Sequence, residues 1–150
     1  MQICEKGAGV MFFDRYDFVM DAKGRLNFPA KFRENMGGGS FVVMEWVDHC
    51  LFALPFEEVD KLAERLGGNE LMDSWEATGD LFSTAFEVEP DKQGRILLPE
   101  SLRKYAGLTK SVTIIGNRNH AEIWDTDTWN ERHSAVTNEE RIRKMRELHI

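Results

Sequence analysis

Two cysteines in 150 residues, Cys4 and Cys50, are too few for a disulfide framework and do not form a CxxC pair, so reduced thiols in a reducing compartment fit best. Long apolar runs are missing too. No stretch approaches the roughly 20 residues needed to cross a bilayer, and the N-terminus lacks a basic region followed by a continuous apolar one, which points to a cytoplasmic protein with no membrane partner. Positive charge is scarce. Nineteen Lys and Arg face 26 Asp and Glu, a net charge of -7 and a pI near 5.1, the wrong sign for nonspecific attraction to DNA or an anionic membrane. Any nucleic-acid role must therefore use a local patch.

Recognisable catalytic signatures are lacking as well. There is no GxSxG, Walker loop, HExxH or paired CxxC. His49, His120, His133 and His149 show no metal-ligand spacing, and joining Cys50 to His120 yields only two ligands. The reading is a non-enzyme with no metal and no cofactor, and no motif assigns it a small molecule. Asp21 and Asp91 each stand near an arginine, which favours ionisation over the raised pKa of a general acid.

What is present is enough for a core: 42% hydrophobic, 11% aromatic and 30% charged residues, in a length that fits one domain or two small halves. The negative charge is concentrated. Glu57, Glu58, Asp60, Glu64, Glu70, Asp73, Glu76 and Asp80 are opposed only by Lys61 and Arg65, so residues 57–80 carry six of the seven net negative charges.

The most informative feature is an internal repeat. Residues 21–37 read DAKGRLNFPAKFRENMG and residues 91–107 read DKQGRILLPESLRKYAG, so a shift of 70 superposes Asp21, Gly24, Arg25, Pro29, Arg33 and Gly37 on Asp91, Gly94, Arg95, Pro99, Arg103 and Gly107. In each copy short apolar segments flank Asp-x-x-Gly: residues 18–20 and 25–28, then 86–89 and 95–98. An Asp opening a turn accepts hydrogen bonds from backbone N–H groups ahead of it, and Gly three residues later takes the positive φ of a tight, exposed hairpin. Pro29 and Pro99 fit the first position of short helices, and Gly37 and Gly107 the position just past their ends. Further strands are predicted at 41–45, 50–54, 112–115 and 121–124, and helices from Pro55 and from Asp125, a plausible N-cap. A four-strand unit of this size cannot hide both faces of its sheet alone, so the two copies must pack together.

Asp-x-x-Gly-Arg, an apolar alternation, Pro, and Arg four residues on, occurring twice some 70 residues apart, resembles the MraZ family of bacterial transcription regulators across nearly all of residues 11–150. The resemblance implies an α+β fold: two tandem swapped-hairpin units, related to the AbrB, SpoVT and MazE DNA-binding domains, forming one β-barrel with short flanking helices. It also implies a ring-shaped homo-oligomer, nucleoid-associated, that regulates the division and cell-wall gene cluster by binding short G-rich direct repeats of double-stranded DNA in its own promoter. Three departures stand out. The hairpin 45–50 lacks the glycines expected there; Phe28 replaces a smaller aliphatic; and residues 1–10 precede Met11, which resembles the usual start.

The expected organisation is a disordered extension over 1–10, a first unit over 11–66, an acidic linker over 67–80 with a further helix near 70–77, a second unit over 81–135 and a C-terminal helix over 136–150. That last segment sets an apolar line of Ile142, Met145 and Leu148 beside basic Arg141, Arg143, Lys144 and Arg146, and a subunit-packing role suits it better than a DNA contact.

For DNA, the family signature falls on Asp21 and Arg25 and on Asp91 and Arg95. Lys23, Arg25, Lys31, Arg33 and Arg95 are the expected contacts, with Asp21, Gly24, Asp91 and Gly94 shaping the turns. Residues 21–33 carry a local charge of +3 and residues 91–104 of +2, two basic islands in an acidic chain. Arginine suits the task because its planar fork bonds two phosphate oxygens or the O6 and N7 of guanine. A cross-turn Asp–Arg pair that merely fixes the hairpin is the competing explanation, and it fits Arg95 better than Arg25, on which the DNA-contacting role falls above all. The alternative function is a protein-interaction module of antitoxin-like type with no DNA-binding role.

Overall fold

The computed structural model describes residues 11–66 and 71–150, so the extension expected over 1–10, with Cys4, lies outside the described residues. The first repeat runs β1 (Arg15–Val19), β2 (Arg25–Asn27), α1 (Ala30–Asn35), β3 (Phe41–Trp46), β4 (Cys50–Leu54) and α2 (Phe56–Leu66), followed by α3 (Leu71–Phe82). The second runs β5 (Phe86–Val88), β6 (Arg95–Leu97), α4 (Glu100–Ala106), β7 (Ser111–Asn117), β8 (His120–Asp125) and α5 (Thr126–Ala135), followed by α6 (Asn138–Glu147).

Local chemistry sets most of these boundaries. Pro29 and Pro99 stand one residue earlier than expected, at the N-cap, where their fixed φ leads into the first turn and the missing N–H has no helical partner to lose. Gly107 closes α4 in the left-handed region at φ 65. Asp125 caps α5, its carboxylate accepting from Thr128 N at 3.1 Å and Thr128 Oγ1 at 3.0 Å. Thr137 and Glu140 form a reciprocal capping box at the start of α6. The acidic segment expected to be mainly linker holds α3, which continues five residues past the expected end at 77.

The two arms flanking each Asp-x-x-Gly turn do not pair with one another. β1 pairs with β7 of the other repeat, Phe18 opposite Val112, and β5 pairs with β3, Val42 opposite Glu87. The halves join through β4 and β8, giving a six-stranded antiparallel sheet in the order β1-β7-β8-β4-β3-β5. β2 and β6 form a separate two-stranded ribbon centred on the pair Leu26–Ile96. Each repeat thus completes the other's sheet.

One cluster fills the space between ribbon, sheet and short helices, drawing Leu26, Phe28, Phe32 and Phe41 from the first repeat and Ile96, Leu98, Leu102 and Ile114 from the second. Phe28 is buried there with its ring 4.7 Å from that of Phe41. Truncating a ring of this kind to Ala costs about 3–5 kcal/mol, transfer plus cavity.

The glycine-free turn between β3 and β4 places Asp48 at φ 66 and His49 at φ 59. Asp and His are among the side chains that enter the left-handed region most readily, and α4 holds the turn in place. The Tyr105 hydroxyl donates to Trp46 O, while His49 Nδ1 lies 3.1 Å from Tyr105 O with its ring against Tyr105.

On the far side of the sheet, burial pulls the Glu122 pKa upward, but hydrogen bonds from His120 Nε2 (2.9 Å), Asn117 Nδ2 (2.9 Å) and Trp124 Nε1 (3.0 Å) outweigh it and hold the carboxyl below its usual range. Cys50 is a buried free thiol whose pKa burial pushes up to about 12, so it is protonated and inert at neutral pH.

Candidate nucleic-acid interface

Side chains alternate across a strand, and in the ribbon this rule sorts the chemistry. Leu26 and Ile96 point inward and are fully buried, so Arg25 and Asn27 of β2 share the outer face with Arg95 and Leu97 of β6. The register sets Arg25 opposite Leu97 and Asn27 opposite Arg95. Arginines 70 residues apart in sequence therefore lie on one exposed surface. Because the strands run antiparallel, the two turns stand at opposite ends of a ribbon about 10 Å long, three residues at roughly 3.3 Å each.

Each turn is closed by the same five hydrogen bonds. Asp21 N donates to Arg25 O at 3.0 Å and Gly24 N to Asp21 O at 3.0 Å, with Gly24 at φ 88. Asp21 Oδ1 accepts from Lys23 N at 3.0 Å and Arg25 N at 2.8 Å, and Oδ2 accepts from Arg25 Nε at 2.6 Å. In the second turn Asp91 receives Gln93 N at 2.9 Å, Arg95 N at 2.9 Å and Arg95 Nε at 3.0 Å, with Gly94 at φ 80. The backbone N–H of Arg25 is the main cause that holds Asp21 below its ordinary pKa, with the Arg25 guanidinium and the Lys23 N–H adding to it, and Arg95 and Gln93 do the same for Asp91.

Both readings of the arginines thus have geometric support at once. The carboxylate engages Nε of each fork, orienting it, and leaves the terminal nitrogens as donors for another acceptor. The tips are open: Ala22 and Lys23, and Lys92 and Gln93, are exposed, and only the glycines are buried.

The other expected contacts sit differently. Lys31 Nζ lies 3.2 Å from Asp14 Oδ2 and 3.3 Å from the centre of the Phe13 ring, tied to the segment before β1. Arg33 Nε donates to Phe28 O at 3.0 Å, and its guanidinium covers the backbone of Gly94. Asn27 and Leu97 on the outer face, and Lys92 and Gln93 on the second tip, are not among the contacts expected from sequence, although Lys92 counts toward the second basic island. Period-two alternation outward from Arg25 and Arg95 is the signal that finds the first two.

A family model described as "MraZ protein, putative antitoxin-like" matches residues 11–78 and again residues 81–147. The chain belongs to the MraZ family. Its two tandem MraZ repeats are the two copies of the sequence repeat, and the family is of regulator type rather than catalytic. Among the described residues of this MraZ protein no group of three or more His, Cys, Asp or Glu is placed to hold a metal ion, and no helix is long and apolar enough to cross a membrane.

Proposed function

We propose that this MraZ protein is a sequence-specific DNA-binding transcriptional regulator that reads short G-rich direct repeats in the promoter of its own division and cell-wall gene cluster. The observation that carries the reading is the outer face of the β2–β6 ribbon, where Arg25 and Arg95 lie together, each aimed by an aspartate, between two exposed tips. Lys23 adds charge at one tip and Lys92 at the other. Terminal guanidinium nitrogens bond guanine O6 and N7 or phosphate oxygens, and Asn27 offers the amide that pairs with adenine N6 and N7. Lys31 is tied to Asp14 and Arg33 Nε to Phe28 O, and their charge adds to the local field.

One ribbon grips weakly. In this reading the two repeats enclose one barrel-like core, and several copies close into a ring that presents identical ribbons to successive operator repeats, raising avidity through effective concentration. Helix α6 supports the assembly: Ile142, Met145 and Leu148 are exposed along it, and ten residues are too few for a stable helix in water without a partner. A protein with these partners works in the cytoplasm at the nucleoid.

The test is a gel-shift assay with the gene's own upstream promoter DNA and scrambled repeats as control, at near-physiological salt. Retarded bands with native repeats alone are expected; equal binding to both probes, or none, overturns the reading. The exposed α6 and the antitoxin-like family description favour a second reading, a module that binds another protein. One stoichiometric foreign polypeptide in native purification, together with no DNA binding, is the outcome that selects it.

A further inference from the structure

Arg33 and Arg103, equivalent positions on α1 and α4, each reach across the repeat boundary. Arg33 Nε donates to Phe28 O at 3.0 Å, while Phe28 N donates to Gly94 O at 3.0 Å. The guanidinium then lies so close over Gly94 that a Cβ built there would stand 2.8 Å from its Cζ and Nη2. The other side repeats the arrangement independently. Arg103 Nε donates to Leu98 O at 2.9 Å, Leu98 N donates to Gly24 O at 2.9 Å, and a Cβ on Gly24 would stand 2.7 Å from Arg103 Nε. Two demands therefore meet at each glycine. Positive φ alone would accept Asn or Asp; with the arginine in place, a side chain fits only if the guanidinium is pushed off the turn.

We infer that Arg33 and Arg103 are positioning residues that clamp the DNA-reading turn of the opposite repeat, so that the two tips of one chain form a single rigid reader. Arg33 holds the turn at residues 91–95, and Arg103 holds the turn at residues 21–25. The guanidinium plane is required, because a lysine in the same place keeps the charge but supplies neither a flat surface for the glycine nor an Nε–H for the carbonyl. This assignment moves Arg33 from the set of DNA contacts to the scaffold behind them, and its functional consequence rests on the DNA-binding reading above.

The effect must be crosswise, which no direct-contact role predicts. Arg33→Lys is compared with Arg103→Lys in the full-length protein by amide hydrogen exchange and by DNA binding across a salt series. In Arg33→Lys, exchange should speed up by roughly tenfold, the equivalent of one lost hydrogen bond, at 91–95 and not at 21–25. Arg103→Lys should give the reverse. Gly94→Asn should reproduce Arg33→Lys despite an intact arginine. β7 and β8 serve as the internal control for folding, and their protection should be unchanged.

Promoter affinity should fall in both lysine variants while the slope of log affinity against log salt stays that of the wild type, because no phosphate contact is removed. Unchanged exchange at 91–95 in Arg33→Lys overturns the clamp. So does an Arg33→Ala slope reduced by about 1 with that turn still protected, the mark of a direct phosphate contact. Wild-type protein that binds no promoter DNA at any salt, yet shows the crosswise exchange pattern, sinks the DNA-binding reading and leaves the clamp standing.

Discussion

The two repeats are nearly interchangeable at their turns and unlike in the helices that follow their last helix-capped strands. Asp21 and Asp91 close their turns with the same bonds to within a few tenths of an ångström. After α2, helix α3 lies against α2 and β3, and Thr84 Oγ1 just beyond it accepts from Glu45 N at 3.1 Å. After α5, helix α6 packs on no comparable surface, and Leu148 near its end is 68% exposed. The turns agree because every atom they need lies within five residues. The helices differ because their stability depends on what covers them, and only α3 is covered within the chain.

The largest expected effect breaks this contrast directly. Removing residues 138–150 should leave the fold of the single chain intact, since α6 contributes nothing buried to it, but should abolish assembly. Mass in solution should drop to that of a smaller species, and affinity for a multi-repeat operator should fall by about 10²–10⁴ while affinity for one repeat hardly changes. A truncated protein that keeps the mass of the full chain shows that α6 is not the subunit contact.

Next come the arginines. Arg25→Ala and Arg95→Ala should each keep assembly and cost about 1–3 kcal/mol of operator affinity where the fork meets a base edge. Where it meets only phosphate, the loss should be spread over all sequences and the salt slope should fall by about 1. The matching geometry of the two pairs predicts losses of similar size. Operator affinity unaffected by both substitutions, measured across a salt series, removes the ribbon face from the interface.

How much of this was legible in the sequence follows the same division between local and distant. Asp-x-x-Gly-Arg specifies its turn by bonds among neighbours, and Pro29, Gly107 and Asp125 mark helix ends by chemistry each carries itself. Alternation in RLN and RIL marks Leu26 and Ile96 as inward but is silent on their partner; the family resemblance implies swapped hairpins without saying which strands pair, and β1 meets β7 rather than β2 only through contacts 96 residues apart. Arg33 reads as one more cation beside Lys31 until the fold sets it on Gly94. In α3, Gly79 and the acidic composition argue for a linker, since Gly costs about 1 kcal/mol inside a helix relative to Ala; contact with β3 and α2 favours the helix instead.

A smaller effect should separate the turns from the rest of the molecule by pH. Hydrogen bonds hold Asp21 and Asp91 below the ordinary value of 3.8 in the folded protein, so their contribution to the turns is complete above about pH 5 and lost as pH falls through the lowered values. Exchange protection at Lys23, Arg25, Gln93 and Arg95 should therefore weaken together in acid, before that of β7 and β8. Asp21→Asn should remove the dependence in the first turn alone; loss in both turns would mean that the acid response belongs to the whole fold.

The smallest effect concerns the one place where the outer faces of the repeats differ on the ribbon itself. The shift of 70 superposes Arg25 on Arg95 but Asn27 on Leu97, so one end of the face pairs Arg with Leu and the other pairs Asn with Arg. Protein symmetry is mirrored in the symmetry of the site it reads. A face with two equivalent ends suits a palindrome; this one is directional and suits a repeat with polarity. Asn27→Leu makes the two ends alike without touching either Asp–Arg pair. It should cost less than either arginine substitution, tenfold in affinity or below by the lower range for one base contact. Its effect should be confined to probes in the native orientation, narrowing the gap between native and inverted repeats. An unchanged gap would assign the polarity to the tips, where Ala22 and Lys23 correspond to Lys92 and Gln93 as the other unmatched positions.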